Sequence, residues 1–137
     1  MKKLTIEDKE LLFKDLSSRL PYHVRLKVWV KDGTIEEGLL DLEHNYADVL
    51  LDAFYYNKII DIKPVLRPMS SMTKEEQKEF ESLGWRVDEL DYNYPWVHNG
   101  DIENVLLGFD WLNAHHFDYH GLIPMGLAIK APEEMYK

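Results

Sequence analysis

The chain contains no cysteine. That excludes disulfides, thiolate metal sites and cysteine nucleophiles together, and it suits a reducing compartment, so a cytoplasmic location is expected. Long apolar runs are missing as well. Nothing approaches the ~18 residues that a membrane-spanning helix requires, and the stretch after Met1-Lys2-Lys3 lacks the apolar centre of an export signal. There is no phosphate-cradling G-x-x-x-x-G-K-S/T loop, no G-x-G-x-x-G and no G-x-S-x-G. Ser70-Ser71 precede a helix, where a hydroxyl serves as a cap. The carboxylate pairs Glu36-Glu37, Glu75-Glu76 and Glu133-Glu134 lack the apolar pocket that would separate their pKa values for acid–base work. On these grounds no catalytic residue and no cofactor are expected.

What is present describes a globular domain. The 137 residues are 45 % hydrophobic and 30 % charged, which is enough for one compact domain over 1–137 that needs no covalent staple. The net charge is −9 and unevenly placed: residues 1–68 hold 11 Lys and Arg against 12 Asp and Glu, residues 69–137 only 5 against 13. An acidic second half repels phosphate backbones, so nucleic acid is not an expected partner. It aids solubility, and it could equally dock on a basic protein.

Periodicity predicts an α+β fold. Thr5-Ile6-Glu7-Asp8 has the form of a capped helix start, and Ile6, Leu12, Phe13, Leu16 and Leu20 share one arc of a helix over 5–20 that Pro21 stops. Residues 22–63 read as a β meander. Val24, Leu26, Val28 and Val30 alternate with polar neighbours and Trp29. Asp32-Gly33 marks a turn and Ile35–Leu42 returns. Asn45-Tyr46-Ala47 turns again, and strands follow at 49–56 and 58–62. A four-stranded antiparallel sheet or small open barrel is expected, with the first helix as its lid. Lys63 to Met72, with Pro64 and Pro68, is extended. Thr73-Lys74-Glu75-Glu76 caps a short polar helix over 73–83. An aromatic loop over 84–100 leads to a longer C-terminal helix over 101–116, with Asp101 as cap and a tail over 117–137. Ile102, Val105, Leu106, Phe109, Leu112 and His116 form its expected core stripe; Leu107 and Trp111 form a smaller patch opposite.

Two places carry candidate chemistry. The first is F-D-W-L-N-A-H-H-F-D-Y-H-G, Phe109 to Gly121. His115 and His116 are adjacent, so a helix would separate their rings. An extended chain after Phe117 would put His116, Asp118 and His120 on one side, and two imidazoles with a carboxylate can hold zinc, manganese or ferrous iron. The plainer reading makes His116 the end of the core stripe, its ring bonded to a carbonyl or to Asp118, with Asp118 fixing the turn into Tyr119. The second is the aromatic loop, where Trp85, Tyr92, Tyr94 and Trp96 either pin the loop to the domain or, where two or more rings are exposed together, mark a partner surface.

The stretches I-K-P-V-L-R-P-M-S-S-M-T-K-E-E and F-D-W-L-N-A-H-H-F-D-Y-H-G-L-I-P-M-G-L-A resemble the signature segments of a family of small uncharacterised proteins from gut anaerobic bacteria and their phages and mobile elements. The matches cover about half the chain. The resemblance implies a small cytoplasmic accessory protein and carries no catalytic residue with it. The family pattern often has Arg where this chain has His120, which weakens the metal triad because an arginine cannot ligate. The expected function is a non-catalytic protein-binding module. The alternatives are a metal-dependent enzyme using His116, Asp118 and His120, and an acidic decoy of a nucleic-acid-binding protein.

Overall fold

The computed structural model describes residues 4–40, 59–88, 90–97 and 101–136. Helix α1 spans Ile6–Ser18 and is closed by a reciprocal capping box, in which the Asp8 amide donates to the Thr5 hydroxyl and the Thr5 amide to the Asp8 carboxylate. A 3-10 turn at Leu20–Tyr22 contains Pro21 and leads into strand β1, Val24–Val30. Strand β2 is Ile35–Leu40 and strand β3 is Ile59–Leu66. Helix α2, Lys74–Glu81, carries a second capping box between Thr73 and Glu76. Strands β4, Trp85–Asp88, and β5, Asp91–Val97, precede helix α3, Ile102–Ala114, and a two-residue strand β6, Ile129–Lys130.

The main sheet runs β2-β1-β3-β6. β1 lies antiparallel to both β2 and β3, while β6 joins β3 in parallel through Val65 and Leu66. Two expectations are corrected here. The sheet is mixed, because the tail returns beside β3. It is not a simple meander, because β3 pairs β1 and so passes β2. Among the described residues it stays open, with β2 and β6 at its edges. The last expected strand, 58–62, extends through Pro64 to Leu66, and β6 joins only beyond that proline, which has no amide to donate. The expected turn at 45–47 and strand at 49–56 lie outside the described residues. A further correction concerns the aromatic loop. Its described part is a β-hairpin, β4 antiparallel to β5, with Trp85 opposite Val97 and Arg86 opposite Trp96.

Two apolar clusters form the interior. One is aliphatic: Leu12 and Leu16 of α1 cover Val24, Leu26, Val28, Ile62 and Leu66, and Leu122 and Leu127 of the tail join them. The other is largely aromatic: Phe80, Trp85, Trp111 and Phe117, with Met69, Met72 and Leu112. Phe80 lies 5.2 Å from Trp85 and 5.1 Å from Trp111, centroid to centroid. The chain from Phe117 to Leu122 crosses from one cluster to the other.

Both long helices are rotated from the orientation their periodicity suggests. α1 buries Asp8, Leu12, Asp15 and Leu16, while Ile6 and Phe13 face outward. α3 buries Gly108, Trp111, Leu112 and Asn113, while Ile102, Leu106 and Phe109 of the expected core stripe are exposed. Its rotation has a steric cause. The Trp85 indole lies flush against the backbone at Gly108, where any Cβ would fall inside the ring, and its Nε1 donates to the Asn104 carbonyl at 2.9 Å. The helix also ends early. His116 stands beyond it in the left-handed region, φ 62°. Asp101 occupies the N-cap position without a side-chain capping bond.

Gly108→Ala is therefore expected to destabilise the fold by about 1–3 kcal/mol, even after the ~1 kcal/mol that Ala gains over Gly within a helix. Chemical denaturation followed by circular dichroism measures it, and an unchanged midpoint would contradict this account of how α3 is seated.

Candidate functional site

The histidine-rich segment is organised by a buried ion pair that the sequence reading missed. Asp15 and Arg19, one turn apart on and just after α1, both have fully buried side chains. Arg19 Nε donates to Asp15 Oδ2 at 2.8 Å, and Nη2 donates to Asp15 Oδ1 at 3.0 Å and to the Phe117 carbonyl at 2.8 Å. The guanidinium lies 5.1 Å from the Tyr119 ring centre. Among the described residues its Nη1 has no hydrogen-bond partner. His120 completes the group, with Nδ1 2.7 Å from Asp15 Oδ1. Burial pushes the Asp15 carboxyl up, but the bonds from His120 and Arg19 outweigh it and hold the group below its usual range. An ionised carboxylate only accepts, so Nδ1 of His120 carries a proton. That leaves Nε2 as the nitrogen available to anything else.

His120 is 22 % exposed and lines a cavity of about 500 Å³. It is lined by Pro68, Met69 and Ser70, by Asn93 and Tyr94 of β5, and by Asp118 to Gly121 with Ile123 and Pro124. The segment around the two prolines, the histidine segment and the aromatic hairpin thus meet at one place. Among the described residues no Lys or Arg lines it. Nε2 of His120 could exchange a proton or a hydrogen bond with a ligand there, but among the described residues no hydroxyl is hydrogen-bonded to the ring, so no activated nucleophile accompanies it.

The metal triad does not assemble. Asp118 accepts from the Leu122 and Ile123 amides at 2.8 and 2.9 Å, so it fixes the turn that follows Tyr119 and not, as expected, the turn into it. Burial raises its pKa despite those two bonds. His120 faces Asp15. His116 stacks on Tyr136, 4.0 Å between centroids, and among the described residues its Nδ1 has no hydrogen-bond partner, so the expected bond to a carbonyl or to Asp118 is not made through that nitrogen. Its burial, with Arg19 nearby, lowers its pKa to about 4. Among the described residues no group of three or more His, Asp or Glu is placed to hold a metal ion. His115 packs on Trp111 at 4.0 Å and bonds its carbonyl through Nδ1 at 2.9 Å.

The four aromatic candidates divide. Trp85 is buried, and Tyr92 is half-buried with its hydroxyl donating to Gln77 Oε1 at 3.2 Å. Tyr94 is 75 % exposed and Trp96 52 %. They stand two apart on β5 and so share a face. A second cavity, about 770 Å³, lies beside Lys130, Pro132 and Tyr136. Its rim holds Arg67, locked to Glu76 by two bonds of 2.7 Å.

The missed network had one visible signal: Asp15 and Arg19 fall on the same arc of α1 as Leu12 and Leu16, an acid and a base four apart on an apolar face. Searches of protein-family models, curated proteins and solved structures found no match to the chain.

Two outcomes test this geometry. Asp15→Ala should cost about 3–5 kcal/mol, because it leaves a buried guanidinium uncompensated. Replacing the pair together, Asp15→Leu with Arg19→Met, should cost markedly less; equal losses in urea denaturation would refute the argument. His116 supplies a pH dependence. Its folded pKa of about 4 lies below the ordinary 6.5, so the unfolded chain takes up the proton first as pH falls. The stability it contributes is complete above pH 6.5 and is lost toward pH 4. His116→Asn, which tolerates the left-handed backbone, should flatten the stability profile in that window by about 1–2 kcal/mol, solvent access having reduced the full linkage value.

Proposed function

We propose that this chain is a non-catalytic protein-binding module that takes a basic partner on the outward face of β5. The observation that carries the reading is the paired exposure of Tyr94 and Trp96, in a hairpin whose other two rings are spent on internal packing. Solvent-facing Tyr and Trp at adjacent same-face positions offer large, rigid contact area of the kind that dominates binding hot spots. The sign of the partner follows from charge. From Val87 to Ile129 the sequence has no Lys or Arg and seven Asp and Glu. A guanidinium or ammonium group can meet the ring faces, and the acidic charge of this stretch favours a cation over an anion.

An acidic decoy of a nucleic-acid-binding protein is a special case of this reading, since such proteins present basic surfaces. The resemblance to accessory proteins of phages and mobile elements is in keeping with it. The metal-dependent alternative draws no support from the placement of His116, Asp118 and His120. An arginine-rich peptide, titrated calorimetrically at low and moderate salt, tests the proposal. Tyr94→Ala with Trp96→Ala should weaken binding at least tenfold at an unchanged melting temperature, and higher salt should weaken the wild type. A double variant that binds as the wild type does would overturn the assignment of the site.

A further inference from the structure

Helix α3 presents its most apolar stripe to solvent. Ile102, Leu106 and Phe109, at i, i+4 and i+7, lie within about 60° of one another at ~100° per residue. They are 77, 63 and 39 % exposed. This is not a helix that failed to find its core. Other sides of the helix are engaged, although Leu107 stays 43 % exposed: Gly108 receives the Trp85 indole, Trp111 stacks on Phe80 and donates to Glu79 Oε1 at 2.8 Å, and Leu112 is completely buried. The seating of Trp85 on Gly108 fixes the rotation, so the outward stripe is held rigidly in place. Phe109 is braced from below by Trp85, edge to face at 5.5 Å, and by Tyr119 at 5.4 Å.

The flanks of the stripe are charged with one sign. Asp101 lies on one side, Glu103 and Asp110 on the other, all three exposed. The helix carries no Lys or Arg. An apolar ridge between two acidic margins matches an amphipathic helix whose leucine-type face is bordered by lysine or arginine. A second copy of this chain is a poor occupant, because its own α3 would bring the same three carboxylates against these.

We propose that α3 is a docking site for a cationic amphipathic helix of a partner protein, packed along Ile102, Leu106 and Phe109 with its basic margins against Asp101, Glu103 and Asp110. This surface is separate from Tyr94 and Trp96 and stands or falls without them.

The probe is a synthetic 18-residue peptide of Leu and Lys with Leu at helical spacing. Its control is a scrambled peptide of identical composition. The wild type should bind the patterned peptide at least tenfold more tightly than the scrambled one and induce helix in it. Leu106→Asp, a change on an already exposed position, should remove that preference, and Asp101→Asn with Glu103→Gln and Asp110→Asn should reduce affinity several-fold and flatten its salt dependence. Tyr94→Ala with Trp96→Ala should change nothing, which separates this proposal from the β5 reading. Because the chain has no cysteine, Leu106→Cys reports directly on access: rapid labelling in the free protein and protection by the patterned peptide are expected. Equal binding of the two peptides, slow labelling of the free protein, or a dimer that Leu106→Asp dissociates would each overturn the proposal.

Discussion

The arrangement of this molecule depends on one guanidinium placed out of reach of water. Removing a charge from solvent costs several kcal/mol, and only a close partner with further hydrogen bonds offsets it. Arg19 meets that demand by binding Asp15 through two nitrogens and the Phe117 carbonyl through one of them. The carbonyl matters most for the fold. Phe117 belongs to the aromatic cluster, whereas Asp15 and Arg19 sit at the end of a helix packed on the aliphatic one. One bond therefore ties the two interiors together. The β3 extension adds a second tie, with the Arg67 amide donating to the His116 carbonyl and the Asp118 amide to the Arg67 carbonyl, both at 2.8 Å.

That framework explains why the histidine-rich segment looks like a site and is so largely structural. Each of its polar groups answers a local requirement. Asp118 satisfies two amides of the following turn, His120 supplies a donor to Asp15, and His115 bonds back to its own helix. The departure is His116, where a half-buried ring with an unpartnered nitrogen stacks on Tyr136. Tyr136 is itself engaged, accepting from the Arg25 amide at 3.0 Å and donating to the Val65 carbonyl at 2.7 Å. The tail is thereby stitched across β1 and β3.

Local chemistry was legible in the sequence where it is self-contained. Thr5 with Asp8 and Thr73 with Glu76 form the boxes their spacing announces, and the alternation from Val24 to Val30 gives the buried face of β1. What periodicity could not supply is the choice between competing faces. On α1 the Asp15–Arg19 pair turns a charged arc inward, and on α3 a glycine that admits an indole outweighs a stripe of three larger apolar residues. The hairpin was hidden by Pro95 and its acidic neighbours, although a proline is tolerated on an edge strand such as β5. β6 is two residues long and exists only through its pairing with Val65 and Leu66, so nothing local could reveal it. Of the candidate residues, the exposed half of the aromatic set was named from composition, while the hydrogen-bond partner of His120, Asp15, lies 105 positions away in the sequence.

The four tryptophans end in three different surroundings, with a practical consequence for optical work. Trp85 and Trp111 are buried in the aromatic cluster. Trp29 lies on the outer face of the sheet with the Lys27 and Lys63 ammonium groups each 5.5 Å from its ring centre. Trp96 stands exposed on β5, opposite Arg86 of β4. An anionic and a neutral diffusible quencher sort these emitters, because local potential sets the concentration of ions near a ring while exposure alone admits a neutral molecule. Iodide gathers at Trp29, acrylamide reaches Trp96 as well, and the light that neither extinguishes comes from the interior.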